Sequence, residues 1–536
     1  MKQTAYRWDL RQENSQKKKK KMSNGALPLV NDAAKEIAYQ LVIAVNTTFT
    51  VASKLYSYIP GGGIVYQYIK ASHQNDPFRT LLEVFLVVFL LWYFVAKRYK
   101  PGTNEVKLTE QEVQELIEEW EPEPLVPELT AFQKEELAKT SVLTSGSGLK
   151  VRSLDGRERL NFASFNFLGI MNSDLIKEKA IAALRKYGVG TCGPPGFYGT
   201  LDIHMDLEAR IAQFIGAEAS IIYSQGFSAI SSCIPAFSKR SDIIVADDGV
   251  SFSVQKGIQI SRSHVKWFKH NDMEDLERVL RQVHTEFAKK PLSRRFIVAE
   301  GLYVNTGDIC PLPQIIELKK KYKYRLILEE SMSFGVLGPR GAGVADKFGV
   351  PASDIDILVA SMTNSLGSSG GFCAGSMEIV EHQRLSGQAY TFSASLPSIL
   401  AVAAIEALNF LENEPEILKH LETNAATAMT VFSKLNAGTV CTTSADESSP
   451  IIHLRLNIPG SHRENQDRIL QEVVDLAFKD GILITRSKYV TNQELRIQPP
   501  SIRYTVSATF TKREVERSAT VVREAIRRTL KQYHLI

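Results

Sequence analysis

The 536-residue chain is 44% hydrophobic and 23% charged, and 64 Lys+Arg against 59 Asp+Glu leave a net charge of +5. That composition excludes a wholly disordered chain, and so small a charge at this length gives no reason to expect nucleic acid as a partner. The five dispersed cysteines (Cys192, Cys233, Cys310, Cys373 and Cys441) show no CxxC or Cys/His spacing, which argues against a disulfide framework and against a metal site.

Residues 1–35 read as a disordered basic tail with five consecutive lysines at 17–21. In the segment 36–80, Leu41, Val42, Val45, Phe49, Leu55 and Tyr58 are mixed with Asn, Thr, Ser and Lys. This suits a helix in the membrane interface or a short buried helix. Pro60-Gly61-Gly62-Gly63 is expected to break it. The run Leu81–Ala96 is the one stretch apolar enough to enter a bilayer, and it predicts a transmembrane helix over 81–97; a buried core helix is the alternative. Trp92 and Tyr93 suit an interface, and the basic flank Lys97, Arg98 and Lys100 places the following residues in the cytosol by the positive-inside rule.

Over 98–145 the pattern predicts an acidic helix and then a proline-rich strap. Thr109 and Glu112 have capping-box spacing, Val113, Leu116, Ile117 and Trp120 repeat at helical intervals, and Pro122, Pro124 and Pro127 enforce extended chain. From 146 to 395 apolar strands at 219–223, 243–246, 296–299, 325–328 and 355–359 alternate with helical stretches. That alternation predicts an α/β domain with a large, mainly parallel sheet and its functional loops at strand C-termini. A long helical stretch around 396–437 leads into strands near 451–455, 482–485 and 502–506, so 396–536 reads as a linker helix and a smaller C-terminal α+β domain.

Several strand ends carry motifs. Glu300-Gly301-Leu302-Tyr303 runs into Gly307-Asp308-Ile309-Cys310-Pro311-Leu312-Pro313, and Glu329-Glu330-Ser331-Met332-Ser333-Phe334-Gly335 precedes Gly370-Gly371-Phe372 and Phe392-Ser393-Ala394-Ser395-Leu396-Pro397. As an ordered set over about 145–530 they resemble the α-oxoamine synthases, pyridoxal-phosphate transferases of fold type I that join an amino acid to an acyl-CoA with loss of CO2. The run from Tyr187 to Thr200, the Trp120-Glu121-Pro122 strap and the single N-terminal membrane helix are similar to the non-catalytic subunit in the branch of that family that uses L-serine and palmitoyl-CoA.

The chemistry of that family needs a lysine to capture the coenzyme aldehyde, an acid against the pyridine nitrogen, and a ring stacked on the cofactor. By the resemblance, the lysine position is Asn364, and no lysine lies between Lys347 and Lys419. The Asp-Glu-Ala-His segment becomes Glu329-Glu330-Ser331-Met332, the stacking histidine becomes Ser251, and the later His-Thr reads Phe510-Thr511 after a retained Arg503. Each change alone could be drift; together they imply a cofactor site that is dead in this chain. Gly226 matches the family's phosphate-loop glycine, although a glycine opening a helix is also ordinary architecture.

The resemblance implies that a catalytic sister subunit holds the pyridoxal phosphate covalently and that this chain completes its site across a dimer interface. Ser393 and Ser395 would donate hydroxyl hydrogen bonds to the partner's cofactor phosphate, unless they merely cap the helix that follows. Cys192, Gly193, Gly196 and Tyr198 would lie at the interface, with Cys192 packed there as a small buried hydrophobe. A small activating subunit, Orm-type regulators and an endoplasmic-reticulum membrane location are implied as well. A lipid-sensing or regulatory scaffold built on the same dead fold is the competing expectation.

Overall fold

The computed structural model describes residues 62–75, 77–96, 108–122, 124–146, 148–435, 438–442 and 446–536, so the expected basic tail and the 37–59 segment lie outside the described residues. The chain divides into two compact units, Met1–Val126 and Pro127–Ile536.

In the first unit Gly62 and Gly63 open a helix, Gly62–Asn75, where the sequence suggests a break. A second helix, Pro77–Val95, holds the apolar run, and every side chain from Val84 to Val95 is exposed. Among the described residues no helix is long and apolar enough to cross a membrane. At about 1.5 Å per residue the Pro77–Val95 helix reaches about 28 Å, just short of a ~30 Å hydrocarbon core. The acidic helix is Glu110–Glu119, and Thr109 and Glu112 close the expected capping box. Leu108, Val113, Leu116, Ile117 and Trp120 form an exposed apolar stripe along it.

The second unit is built on three sheets. Strands β1 (Lys150–Arg152) and β2 (Glu158–Asn161) come first. The central strands follow: β3 (Ala219–Tyr223), β4 (Ile243–Asp247), β5 (His264–Phe268), β6 (Arg295–Glu300), β7 (Arg325–Glu329), β8 (Ile357–Ser361) and β9 (Gly371–Gly375). The C-terminal part contributes β10 (Val440–Thr442), β11 (Ile451–Leu456), β12 (Ile482–Leu483), β13 (Thr485–Arg486) and β14 (Ser501–Thr505).

The seven-stranded sheet has the order β3-β9-β8-β7-β6-β4-β5, and β9 is its only antiparallel strand. Helices cover both faces of such a sheet, so its inner strands read as unbroken apolar runs. Val245, Ile297, Leu328 and Val359 are fully buried accordingly. β10, β11, β14 and β13 form an antiparallel sheet. The third sheet joins β1 and β2 to β12, so the first strands after residue 146 pair with the C-terminal part and not with the central sheet. The helical stretch after 396 is two helices, Ser398–Asn413 and Glu416–Phe432, separated at Glu414-Pro415. The strap continues into a short helix, Ala131–Ala138, whose Glu136 pairs with Arg486 and Lys488 at 3.1 and 2.8 Å.

Candidate active-site remnant and interface loop

Parallel strands of this sheet all deliver their C-termini to one edge, and there the apolar runs end in polar residues: Asp247 on β4, Glu300 on β6, Glu329 on β7 and Ser361 on β8. Glu300 and Glu329 are register partners on adjacent strands. Glu300 accepts the Ser251 N–H at 2.6 Å, and Glu329 accepts the Ser331 N–H at 2.9 Å. Glu330 accepts from the Ser333 hydroxyl and from the Val344 N–H at 3.1 Å. Burial pushes all three carboxyls up, Glu300 and Glu330 to about 7 and Glu329 well above the carboxylate range, where the Glu300 charge adds to the effect.

The four positions singled out from the sequence converge on this edge. The Asn364 side-chain amide donates to the Ser331 carbonyl at 3.0 Å and lies 3.5 Å from the Met332 sulfur. Met332 is buried beside it. Ser331 reaches Glu329 through its N–H and accepts the Ser361 N–H on its hydroxyl at 2.8 Å. Ser251 starts the helix Phe252–Ser261 and touches Glu300, while its hydroxyl pairs with Ser253 at 3.0 Å. Gly226 opens the helix Gly226–Phe237, and a Cβ there would fall on the Ser361 hydroxyl, so close packing against β8 requires glycine.

Sequence reasoning missed the neighbouring His270. Its Nδ1 lies 2.8 Å from Asp247 and its Nε2 3.2 Å from Asp308, with Tyr303 edge-on to the ring at 4.5 Å between centroids. Burial disfavours the charged ring, but hydrogen bonds to Asp247 and Asp308 more than reverse this and raise it to about 9. The signal available in the sequence was the His270-Asn271-Asp272 run. A histidine raised by its partners stabilises the fold fully below its ordinary value near 6.5 and loses that contribution as pH climbs through 9. His270→Gln is therefore expected to lower stability at pH 7 by about 1–3 kcal/mol, the usual worth of charge-assisted hydrogen bonds, and to remove the loss near pH 9. Thermal unfolding of both proteins from pH 7 to 10 checks this, and equal slopes would refute it.

The two expected interface regions meet. The Gly193 carbonyl accepts the Ser395 N–H at 3.0 Å and the Thr191 hydroxyl at 3.2 Å, and the Ser395 hydroxyl lies 3.4 Å from it. Neither serine caps the next helix, whose N-cap is Pro397 with no side-chain cap bond. His204 accepts the Leu201 N–H on Nδ1 at 3.0 Å, which makes Nε2 the donor to the Leu396 carbonyl at 2.6 Å. Beside this junction lies a cavity of about 340 Å³ with Thr200, His204, Glu208, Arg384, Tyr390 and Ser393 in its wall.

Cys192 is exposed on the surface of this single chain and sits at φ +53°. The tight turns of the loop hold its backbone open: Phe197 and Gly199 both donate to the Pro194 carbonyl, and Tyr198 takes φ +65°. Tyr198 is fully exposed, Phe197 is 67% and Phe392 80% exposed, and Gly196 is also at the surface.

Residues 158–522 match the model of the aminotransferase class I and II family. The chain is 42% identical over 444 residues to a protein of Dictyostelium discoideum named serine palmitoyltransferase 1, covering 82% of this chain and 92% of that protein. It is also 42% identical over 428 residues to long chain base biosynthesis protein 1 of Arabidopsis thaliana, covering 80% and 87%. Among solved structures, a Sphingomonas wittichii serine palmitoyltransferase aligns with a TM-score of 0.66 at 23% identity, over 74% of this chain and 96% of that one, a likeness of fold.

Proposed function

The chain belongs to the class I and II aminotransferase family and, within it, to the serine palmitoyltransferase 1 proteins, and on that premise we propose that it is the non-catalytic but required subunit of serine palmitoyltransferase. The complex condenses L-serine with palmitoyl-CoA to 3-ketosphinganine, CO2 and CoA, in sphingolipid synthesis. The lysine, and with it the pyridoxal phosphate, belongs to the catalytic partner, subunit 2.

One observation carries this reading. Asn364 stands where the resemblance puts the lysine, and its amide is committed to Ser331 and Met332. An amide nitrogen is no nucleophile toward an aldehyde. The residues around it do not fit the cofactor either. Buried Glu329 already has its Oε1 on Ser331, Met332 has no ring to stack, and Ser251 is drawn to Glu300. A cofactor covalently held by this chain is therefore not expected.

What this chain supplies is a surface and a set of donors. Exposed Phe197, Tyr198 and Phe392 flank the Gly193–Ser395 junction, and an apolar patch with tight backbone turns beneath it suits a protein partner. Ser393, half-buried, and Ser395, buried against the Gly193 carbonyl, adjoin that patch and would donate to a phosphate held by the partner once it docks. The exposed apolar face of the Pro77–Val95 helix supports attachment of the chain to the endoplasmic-reticulum membrane, with the main domain cytosolic, where a lipid substrate and product partition. The small activating subunit and the Orm-type regulators would dock near the same N-terminal helices.

Purifying each chain separately, assaying each alone and then assaying the mixture tests the proposal. Condensation only in the mixture is expected. Full activity of the sister subunit alone would instead favour a lipid-sensing scaffold, and activity of this chain alone would end the reading.

A further inference from the structure

The polar edge of the central sheet holds more acid than its surroundings can neutralise. Asp247, Glu300, Glu329 and Glu330 are each 3% exposed or less. His270 is the one cation in ion-pair contact with any acid of the cluster among the described residues, and both its ring nitrogens are taken by Asp247 and Asp308. Asp247 is further held by the N–H groups of Gly249 and Asn271. Glu330 has the Ser333 hydroxyl and the Val344 N–H.

Glu300 and Glu329 are different. They leave β6 and β7 as register partners, with backbones about 4.8 Å apart, on the same face of the sheet. Each has one oxygen on a backbone N–H, from Ser251 and Ser331, and the hydroxyls of the same serines and the Val304 N–H oppose the rise without cancelling it. The second oxygen of Glu300 is fully buried without any hydrogen-bond partner. The titratable neighbours that act on them are Asp247 on Glu300 and Glu330 on Glu329, both of which push them further up, and Tyr303, buried and neutral, beside Glu300. Two bare carboxylates this close in a dry site repel each other and pay the full cost of desolvation. A single proton held between them removes one charge and gives the orphaned oxygen its partner.

We propose that Glu300 and Glu329 form a carboxyl–carboxylate dyad sharing one proton, so that the remnant site is a proton-binding device that fastens the centre of the sheet. Both partners are raised above their unfolded values, and the sign follows. The stabilisation is complete below about pH 4.5 and is lost as pH rises through 7 and beyond, because the unfolded chain releases a proton that the folded chain keeps. The dyad rests on burial and register alone, independent of whether the chain acts in catalysis.

Hydrogen exchange on the full-length chain, in the assembly in which it is purified, tests the dyad. Peptides spanning 295–303 and 325–334 are followed at pH 6, 7 and 8 and corrected for intrinsic exchange. One proton corresponds to about a tenfold rise in local opening per pH unit, so the wild type is expected to approach that slope between pH 7 and 8. Glu329→Gln keeps the acceptor for Ser331 and offers Glu300 a permanent N–H donor. Its slope is expected to fall below about threefold per unit, with protection at pH 8 at least tenfold above wild type. The protonated-carboxyl infrared intensity at pH 7 is expected to fall in the variant by the share of one carboxyl, the share of Glu330 remaining. A flat wild-type slope, an unchanged slope in Glu329→Gln, or undiminished infrared intensity in the variant overturns the proposal. If Glu329→Gln does not fold, Glu300→Gln removes the same proton from the opposite strand and is read by the same criteria.

Discussion

Asn364→Lys is expected to leave the isolated chain without condensation activity, on the order of a thousandfold or more below the assembled complex, equivalent to about 4 kcal/mol of barrier. Restoring the amine is not enough, because the amine enters a site arranged for an amide. It would lose the Asn364 contacts to Ser331 and Met332 and meet the buried Glu329 beside them, which favours a trapped ammonium over a free nucleophile. Nothing at Ser251 stacks on a coenzyme ring, since that residue is held to Glu300. Borohydride reduction in the presence of pyridoxal phosphate, followed by peptide mapping, should label the sister subunit of the complex and no lysine of this chain, in wild type and variant alike. Turnover by the variant alone would show that one residue separates this chain from an enzyme, and the proposed division of labour would fall. A combined replacement at Asn364, Glu329, Met332 and Ser251 addresses the lysine, the acid and the ring positions together, and Phe510 would still differ from the family pattern.

Much of this edge was legible because the inner strands advertise themselves. Runs such as Ile243-Ile244-Val245-Ala246 and Leu326-Ile327-Leu328 are apolar on both faces, and the motif residues follow their ends directly. The strands that were missed lack that signature for definable reasons. β5 is an edge strand with only Phe268 buried, and it carries a lysine in its middle. β9 reads as a glycine-rich loop, yet a Cβ on Gly371 would stand 2.8 Å from Ala229 and 2.9 Å from the Ala360 carbonyl, so packing imposes the residue that hides the strand. The apolar stretch at 482–485 reads as one strand. It is two, β12 and β13, which pair with different sheets, and no local pattern encodes a change of partner. At the site, losses against a family pattern could be seen from sequence, because they are substitutions at known positions. Contacts between distant segments could not: Asp247 with His270 and Asp308, His204 with Leu396, and Glu208 with Arg384 at 3.3 Å depend on the folded topology.

The second large effect is expected from Gly199→Ala, and its meaning depends on comparison with Cys192→Trp seven residues earlier. A Cβ on Gly199 would collide with the Gly193 carbonyl and approach the Ser395 hydroxyl to 2.6 Å. Backbone cannot yield as a flexible side chain would, so the loop must move and the Gly193–Ser395 hydrogen bond must lengthen or break. Overpacking of this kind costs about 1–3 kcal/mol, a fall of a few degrees in Tm for a unit of this size. The donors proposed for the partner's phosphate shift with it, so activity of the assembled complex should fall at least tenfold. Cys192 already occupies the left-handed region with its side chain in solvent, and the indole of Cys192→Trp has room within the chain. That variant is therefore expected to keep its own Tm within about 2 °C while losing association with the sister subunit, read by co-purification and by sedimentation. If both variants lose stability equally, the loop is part of the internal architecture. If neither affects association, the partner binds elsewhere. Only separation of the two effects, stability with Gly199 and pairing with Cys192, supports a loop that folds against Ser395 on one side and meets the catalytic subunit on the other.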